Sequence, residues 1–164
     1  PTVGELYSKL ADAVQRVNAN RYMPATGIIM HPRRWGWFMA SLDSTNRPLV
    51  VPSAGVPTNA VGVGQAAEYG QVVGTLLGLP VITDANVPTN LGAGTNEDII
   101  TVARLDDCLL WEDSAAPYQL RFEQTAGGSL SVTMVVYGYA AFTAGRYPAG
   151  ISTVGGTGLI TPAF

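Results

Sequence analysis

Side chains able to carry catalysis or bind metals are scarce in this chain of 164 residues, which holds one cysteine (Cys108), one histidine (His31) and one lysine (Lys9). A lone cysteine excludes an intramolecular disulfide and a multi-thiolate zinc site, and it fits a reducing cytoplasm. Followed by Leu-Leu-Trp, Cys108 reads as a buried apolar thiol. A lone histidine with no Cys or His partner at ligand spacing is a poor metal candidate. Ser-His-Asp or Cys-His chemistry would depend on His31 alone, and no Gly-x-Ser-x-Gly elbow is present. Charge is also short: charged residues are 13% of the chain, against about 25% in ordinary soluble domains. Either the surface is neutral but polar, or much of it is hidden against other subunits. Interface cores are depleted of charge, which favours assembly. The net charge of −3 argues against a nucleic-acid binder, whose affinity rests on neutralising phosphates. The longest apolar stretch, Val132 to Phe142, is broken by Thr133 and Gly138 and is too short to span a bilayer. No signal peptide opens the chain, and its start at Pro1 without a methionine is that of a fragment or processed product.

What is present has a clear order. Thr2 and Glu5 form a capping-box pair. Val3, Leu6, Tyr7, Leu10, Val14 and Val17 then make a one-sided stripe, which predicts an amphipathic helix from about Val3 to Ala19. Gly27-Ile28-Ile29-Met30 reads as a short buried strand. A second helix is expected from Pro32 to about Leu42, because proline suits the first helical position. The turn cluster Asp43 to Pro48 stops it. Residues 48–75 carry enough glycine and proline for only short strands and excursions. Leu77 to Thr83 is a glycine-led turn into a strand, and Asp84 to Asp98 has the composition of a mobile loop. Strands are expected within 99–105, 108–113 and 118–124, with a hairpin turn at Ala126 to Ser129. Residues 130–144 read as one long strand or a strand ending in helix. The class is α+β, helices early and antiparallel strands late.

Two arrangements imitate enzyme sites. Gly62-x-Gly64-x-x-Ala67, with Asp84 about twenty residues on, resembles a dinucleotide-binding fingerprint. The context opposes it. Pro57-Thr58-Asn59 leaves almost no strand before the first glycine, and Gly70, Gly74 and Gly78 each cost a following helix about 1 kcal/mol relative to alanine. The acidic pairs Glu97-Asp98, Asp106-Asp107 and Glu112-Asp113 could bind a divalent cation or do acid–base work. Neighbours on a strand face opposite ways, so these pairs read as solvated turn residues. We assign no catalytic residue, no cofactor and no metal ligand, and expect a protein that is not an enzyme.

The stretch MHPRRWGWFM therefore reads as a strand-to-helix junction. His31 is the N-cap and Pro32 the first helical residue, and Trp35, Phe38 and Met39 share the core-facing side. Trp37 lies off that side as a candidate contact residue. Arg33 and Arg34 oppose the dipole at the helix start, so an acidic group on a neighbouring segment or another subunit should favour them.

These residues carry a family likeness. GIIMHPRRWGWF resembles the strand and the Asn-Pro-led helix of the tailed-bacteriophage major capsid protein family, with its Hong Kong 97-type fold; His31 stands where asparagine is usual. GTLLGLPVITDANVP is similar to the family's Gly-x-Pro-Val strand and following loop. ITVARLDDCLLWED and the closing LRFEQTAGGSLSVTMVVYGYAAFTAGRYPAGI resemble its later strands and its basic-aromatic-Pro ending, in matching order across nearly the whole chain.

The resemblance implies the C-terminal portion of such a subunit. Residues 1–117 would form an axial-domain-like core, a mixed sheet flanked by helices. Residues 118–164 would form a long β hairpin and the returning peripheral-domain segment. It implies a structural subunit of a phage or prophage icosahedral capsid, self-assembling into pentamers and hexamers that enclose the DNA genome. Such a protein would be located in the virion and assembled in the host cytoplasm. Its partners would be copies of itself, with scaffold, portal or decoration proteins, and neither a specific nucleic-acid site nor a membrane. The subunit-interface candidates are Arg33, Arg34, Trp37, Asn86, Asn90, Asn96, Arg146 and Tyr147, with the Asp84–Asp98 loop near the capsomer axis. Lys9 is the only lysine and GRYPAGI has no asparagine, so the inter-subunit cross-link of some members gains no support. An encapsulin-type nanocompartment shell of the same fold is the alternative, and a nucleotide-binding enzyme the distant one.

Overall fold

The structure, a computed structural model, describes residues 3–42, 72–113, 118–124 and 132–162. Among the described residues, two helices, α1 (Val3–Arg21) and α2 (Pro32–Ala40), accompany nine strands: β1 (Gly27–Met30), β2 (Val72–Leu76), β3 (Leu79–Thr83), β4 (Ile100–Ala103), β5 (Leu109–Glu112), β6 (Gln119–Gln124), β7 (Val132–Tyr137), β8 (Ala140–Thr143) and β9 (Ile151–Val154). The class is mixed α+β. The chain divides into two compact units, residues 1–106 with 147–164, and residues 107–146.

The first unit holds a five-stranded sheet in the order β2-β3-β1-β4-β9. β1 and β3 are parallel, and the other neighbours antiparallel. β2 and β3 are joined through Leu77 and Gly78, at φ 54° and 77°. Two consecutive positive φ values give a turn whose twist matches the strands it joins. A leucine there carries strain of about 1–2 kcal/mol, and its side chain offsets this by packing against the core.

α1 buries Leu6, Leu10, Ala13 and Val17, a stripe at helical spacing, and lies along β4 and β9. These residues share one cluster with Ile28, Met30, Val81, Ile100 and Val102 of the sheet and with Trp35 and Phe38 of α2. Each fully buried leucine, isoleucine or phenylalanine contributes about 1.5–3 kcal/mol. Two expected core residues are not in the core: Tyr7 is 46% exposed and Met39 40%. Both sit beside a fully or nearly fully buried neighbour on their helix, Leu6 and Phe38. The two ends of the excursion from this unit are tied together, since the Arg104 amide donates to the Gly150 carbonyl at 2.9 Å.

Among its described residues the second unit holds two antiparallel ribbons, β5 with β8 and β6 with β7. Of the stretch 130–144, the described residues 132–144 are neither one strand nor a strand running into helix: they break at Gly138-Tyr139 into β7 and β8. Register places Leu120 opposite Val136, Phe122 opposite Met134 and Gln124 opposite Val132. Side chains alternate along a strand, so Leu120, Phe122, Val132, Met134 and Val136 share one ribbon face. Arg121 and Glu123, an ion pair, lie on the other. The apolar face is open, with these five side chains 52–64% exposed. The expected turn at Ala126–Ser129, Thr2 of the capping box, the cluster at 43–48 and the Gly62–Ala67 motif lie outside the described residues.

Candidate assembly site

The local geometry begins at the start of α2. His31 is extended (φ −69°, ψ 143°), and its Nδ1 accepts a hydrogen bond from the Arg33 amide at 3.1 Å, with Pro32 in the first turn. The cap satisfies one of the amides a helix start leaves unpaired. Arg33 and Arg34 follow, on the wrong side of the helix dipole by about 0.3–1 kcal/mol each.

The compensating group is Asp98 of the same unit. Arg34 donates from Nε to Asp98 Oδ1 at 3.1 Å and from Nη2 to Asp98 Oδ2 at 3.1 Å. Arg33 donates from Nε to Asp98 Oδ2 at 2.9 Å. The Asp98 side chain is fully buried and that of Arg34 1% exposed. The remaining donors reach backbone and hydroxyl oxygens. Arg34 Nη2 lies 2.7 Å from the Ile160 carbonyl. Arg33 reaches the carbonyls of Thr89 and Asn96 at 3.3 and 3.2 Å, and Thr161 Oγ1 at 3.3 Å. Two guanidiniums on one carboxylate leave an excess positive charge, and those oxygens soften it. The expected acid is therefore on a neighbouring segment, so no second subunit is needed to account for either arginine. Arg34 in particular has no surface to offer.

Asp98 was not legible as a site, because Glu97-Asp98 reads as a solvated pair. Both are buried, at 7% and 1% exposure, as is Asp107 at 8%, whereas Asp106 is open and pairs with Arg104 at 3.1 Å. Two arginines in a first turn without a local acid were the signal that could have pointed to Asp98.

The loop that Asp98 closes is ordered at its ends. Asp84 Oδ1 accepts from the Asn86 amide at 2.8 Å. Leu91 and Glu97 exchange amide-to-carbonyl bonds of 3.0 and 3.1 Å. Gly92 turns at φ +75°, and a Cβ there would collide with the Glu97 carboxylate. No residue from 85 to 96 is buried, and Asn86, Asn90 and Asn96 are exposed. Trp37 is half-buried against the core, with the Arg34 guanidinium 5.4 Å from its ring centroid and Phe38 edge-on at 5.2 Å. Tyr147 is 38% exposed beneath the Arg21 guanidinium at 4.1 Å, and Arg146 is exposed at the end of the second unit. The structure thus joins Arg33 and Arg34 to each other, to Trp37 and to the Asn96 carbonyl. Asn86, Asn90, Arg146 and Tyr147 are not part of that cluster.

Among the described residues, no three His, Cys, Asp or Glu side chains converge on a possible metal position. No described helix is long and apolar enough to cross a membrane. Cys108 is half-buried; burial first, and the Asp107 carboxylate second, raise its thiol above the ordinary range. This disfavours the reactive thiolate.

The model of the phage capsid family matches residues 2–146. The chain belongs to the phage capsid family. It is a structural subunit of a phage capsid, in a family whose members are structural and not enzymatic, and such subunits self-assemble into the shell of the virion. A search of curated protein sequences finds no match. Within this capsid subunit the match stops at Arg146, where the second unit ends. β9, which completes the sheet, and residues 156–162, which meet Arg33, Arg34 and Asp98, lie beyond it.

Proposed function

We propose that this capsid subunit has the Hong Kong 97-type fold. In this reading the chain supplies an axial-domain-like core and a returning peripheral segment, and copies join as pentamers and hexamers around packaged DNA. The observation that carries the reading is the ribbon face of Leu120, Phe122, Val132, Met134 and Val136. A two-stranded ribbon is marginal on its own in water, and an uncovered apolar face is the mark of a surface that is buried on association. The exposed asparagines of the Asp84–Asp98 loop suit polar contacts around a capsomer axis, with Trp37, Arg146 and Tyr147 as further contact candidates. The acidic balance of −3 suits a shell that does not grip the DNA it holds. Assembly would take place in the host cytoplasm, with scaffold, portal or decoration proteins as further partners.

The test is Phe122→Glu in the full-length protein, read by negative-stain microscopy and sedimentation. The expected outcome is soluble, unassembled subunits with wild-type circular dichroism. Closed shells at wild-type yield would overturn the role of the ribbon face.

A further inference from the structure

The loop 84–98 has an exposed tip and no buried residue between 85 and 96, so no apolar core of its own fixes its shape. What fixes it is polar, and much of it comes from the far end of the chain. Residues 156–162 form a strap. It turns at Gly156 (φ +121°), where the Leu159 amide donates to the Gly156 carbonyl at 2.8 Å, and it sinks Leu159 into the core at 3% exposure. The Asp98 amide donates to the Leu159 carbonyl at 2.9 Å. Glu97 bridges Leu91 on one side and Ile160 on the other, so the loop's stem and the strap form a small three-layered ladder. The two arginines span the same pair of segments. Arg34 holds Asp98 and the Ile160 carbonyl; Arg33 holds Asp98, the carbonyls of Thr89 and Asn96, and Thr161.

We infer that Arg33, Arg34 and Asp98 are positioning residues which couple the strap 156–162 to the loop 84–98, so that the strap dictates the conformation the loop presents to neighbouring copies. α2 supplies the rigid post. Its capped first turn carries both guanidiniums, and the strap and the loop are each tied to that post and to one another. The coupling rests on the geometry alone; its consequence for assembly rests on the loop being a subunit contact, as proposed above.

The experiment is amide hydrogen exchange on the whole chain. In Leu159→Ala, whose altered side chain is in the core and not in the loop, the amides of Leu91, Thr95 and Glu97 should exchange about tenfold faster while those of β1 change little, the behaviour of a separately opening segment. Thr161→Val is the gentler variant, removing one hydroxyl and no core contact; it should speed the same loop amides by about twofold, and Thr161→Ser should restore wild-type exchange. Loop amides that stay at wild-type rates in both variants, or that rise only in step with β1, would overturn the coupling. The assembly arm uses Leu159→Ala in the full-length protein. Shells of wild-type geometry formed with a loosened loop would leave the coupling standing and remove the loop from the subunit contacts. An unloosened loop would remove the coupling whatever the shells do.

Discussion

Phe38 and Phe122 are the same residue type in two opposite situations. Phe38 is fully buried among side chains from α1, α2 and the sheet, whereas Phe122 is 64% exposed on a two-stranded ribbon. The first unit is held by its own core and its buried ion cluster. The described part of the second unit is held by ladder hydrogen bonds and leaves Leu120, Phe122, Val132, Met134 and Val136 exposed. The contrast separates two situations of hydrophobic residues in one capsid subunit: some are packed into its core, and others lie exposed on a ribbon.

The comparison is broken most strongly at its ion cluster and its core. Asp98→Ala strips a buried counter-charge from Arg34 and should cost about 3–5 kcal/mol, read as a large fall in the denaturation midpoint. Phe38→Ala should cost a similar ~3–5 kcal/mol through the cavity it leaves. Phe122→Ala in the unassembled chain should stay within about 0.5 kcal/mol of wild type. Equal losses for the two phenylalanines would mean that Phe122 is covered within the chain, contrary to the contrast. Gly92→Ala ranks between the losses expected at Phe38 and at Phe122. It places a side chain at positive φ and against the Glu97 carboxylate, and should cost about 1–3 kcal/mol, with faster exchange at the Leu91 and Glu97 amides. The smallest effect belongs to Cys108. A thiol raised above its unfolded value holds its proton more tightly in the fold, so its stabilising contribution is complete below the unfolded thiol pKa and fades as pH rises through the folded one. Alkylation of Cys108 in the native chain at neutral pH should be slower than in the urea-unfolded chain; equal rates would contradict the raised thiol.

The sequence was most legible where one local rule governs. Helical spacing gave α1, although the helix runs on to Arg21. Proline at the first helical position gave α2 and its His31 cap, and Gly27–Met30 matches β1. Legibility failed where tertiary partners decide. The strand pair β7 and β8 is separated at Gly138-Tyr139 because β8 pairs with β5 and β7 with β6, and hydropathy alone does not choose a partner. Asp98 looked like a solvated carboxylate because the guanidiniums that bury it are more than sixty positions away. The same gap left Arg33 and Arg34 apparently in need of another subunit. The strap had no legible feature, since Gly155 to Pro162 reads as a plain glycine-rich end.

The bond between the Arg104 amide and the Gly150 carbonyl lies within the first unit, two and three residues from where the chain leaves it at Asp106 and returns at Tyr147. In engineering terms the ribbon unit is therefore a cassette: cutting it out and bridging the gap by a tight turn should leave the five-stranded sheet closed. Closing a short loop costs less chain entropy than closing a long one. The ribbon unit and its attachment point are thus separable parts, and a ribbon of another length or sequence is expected to be tolerated there.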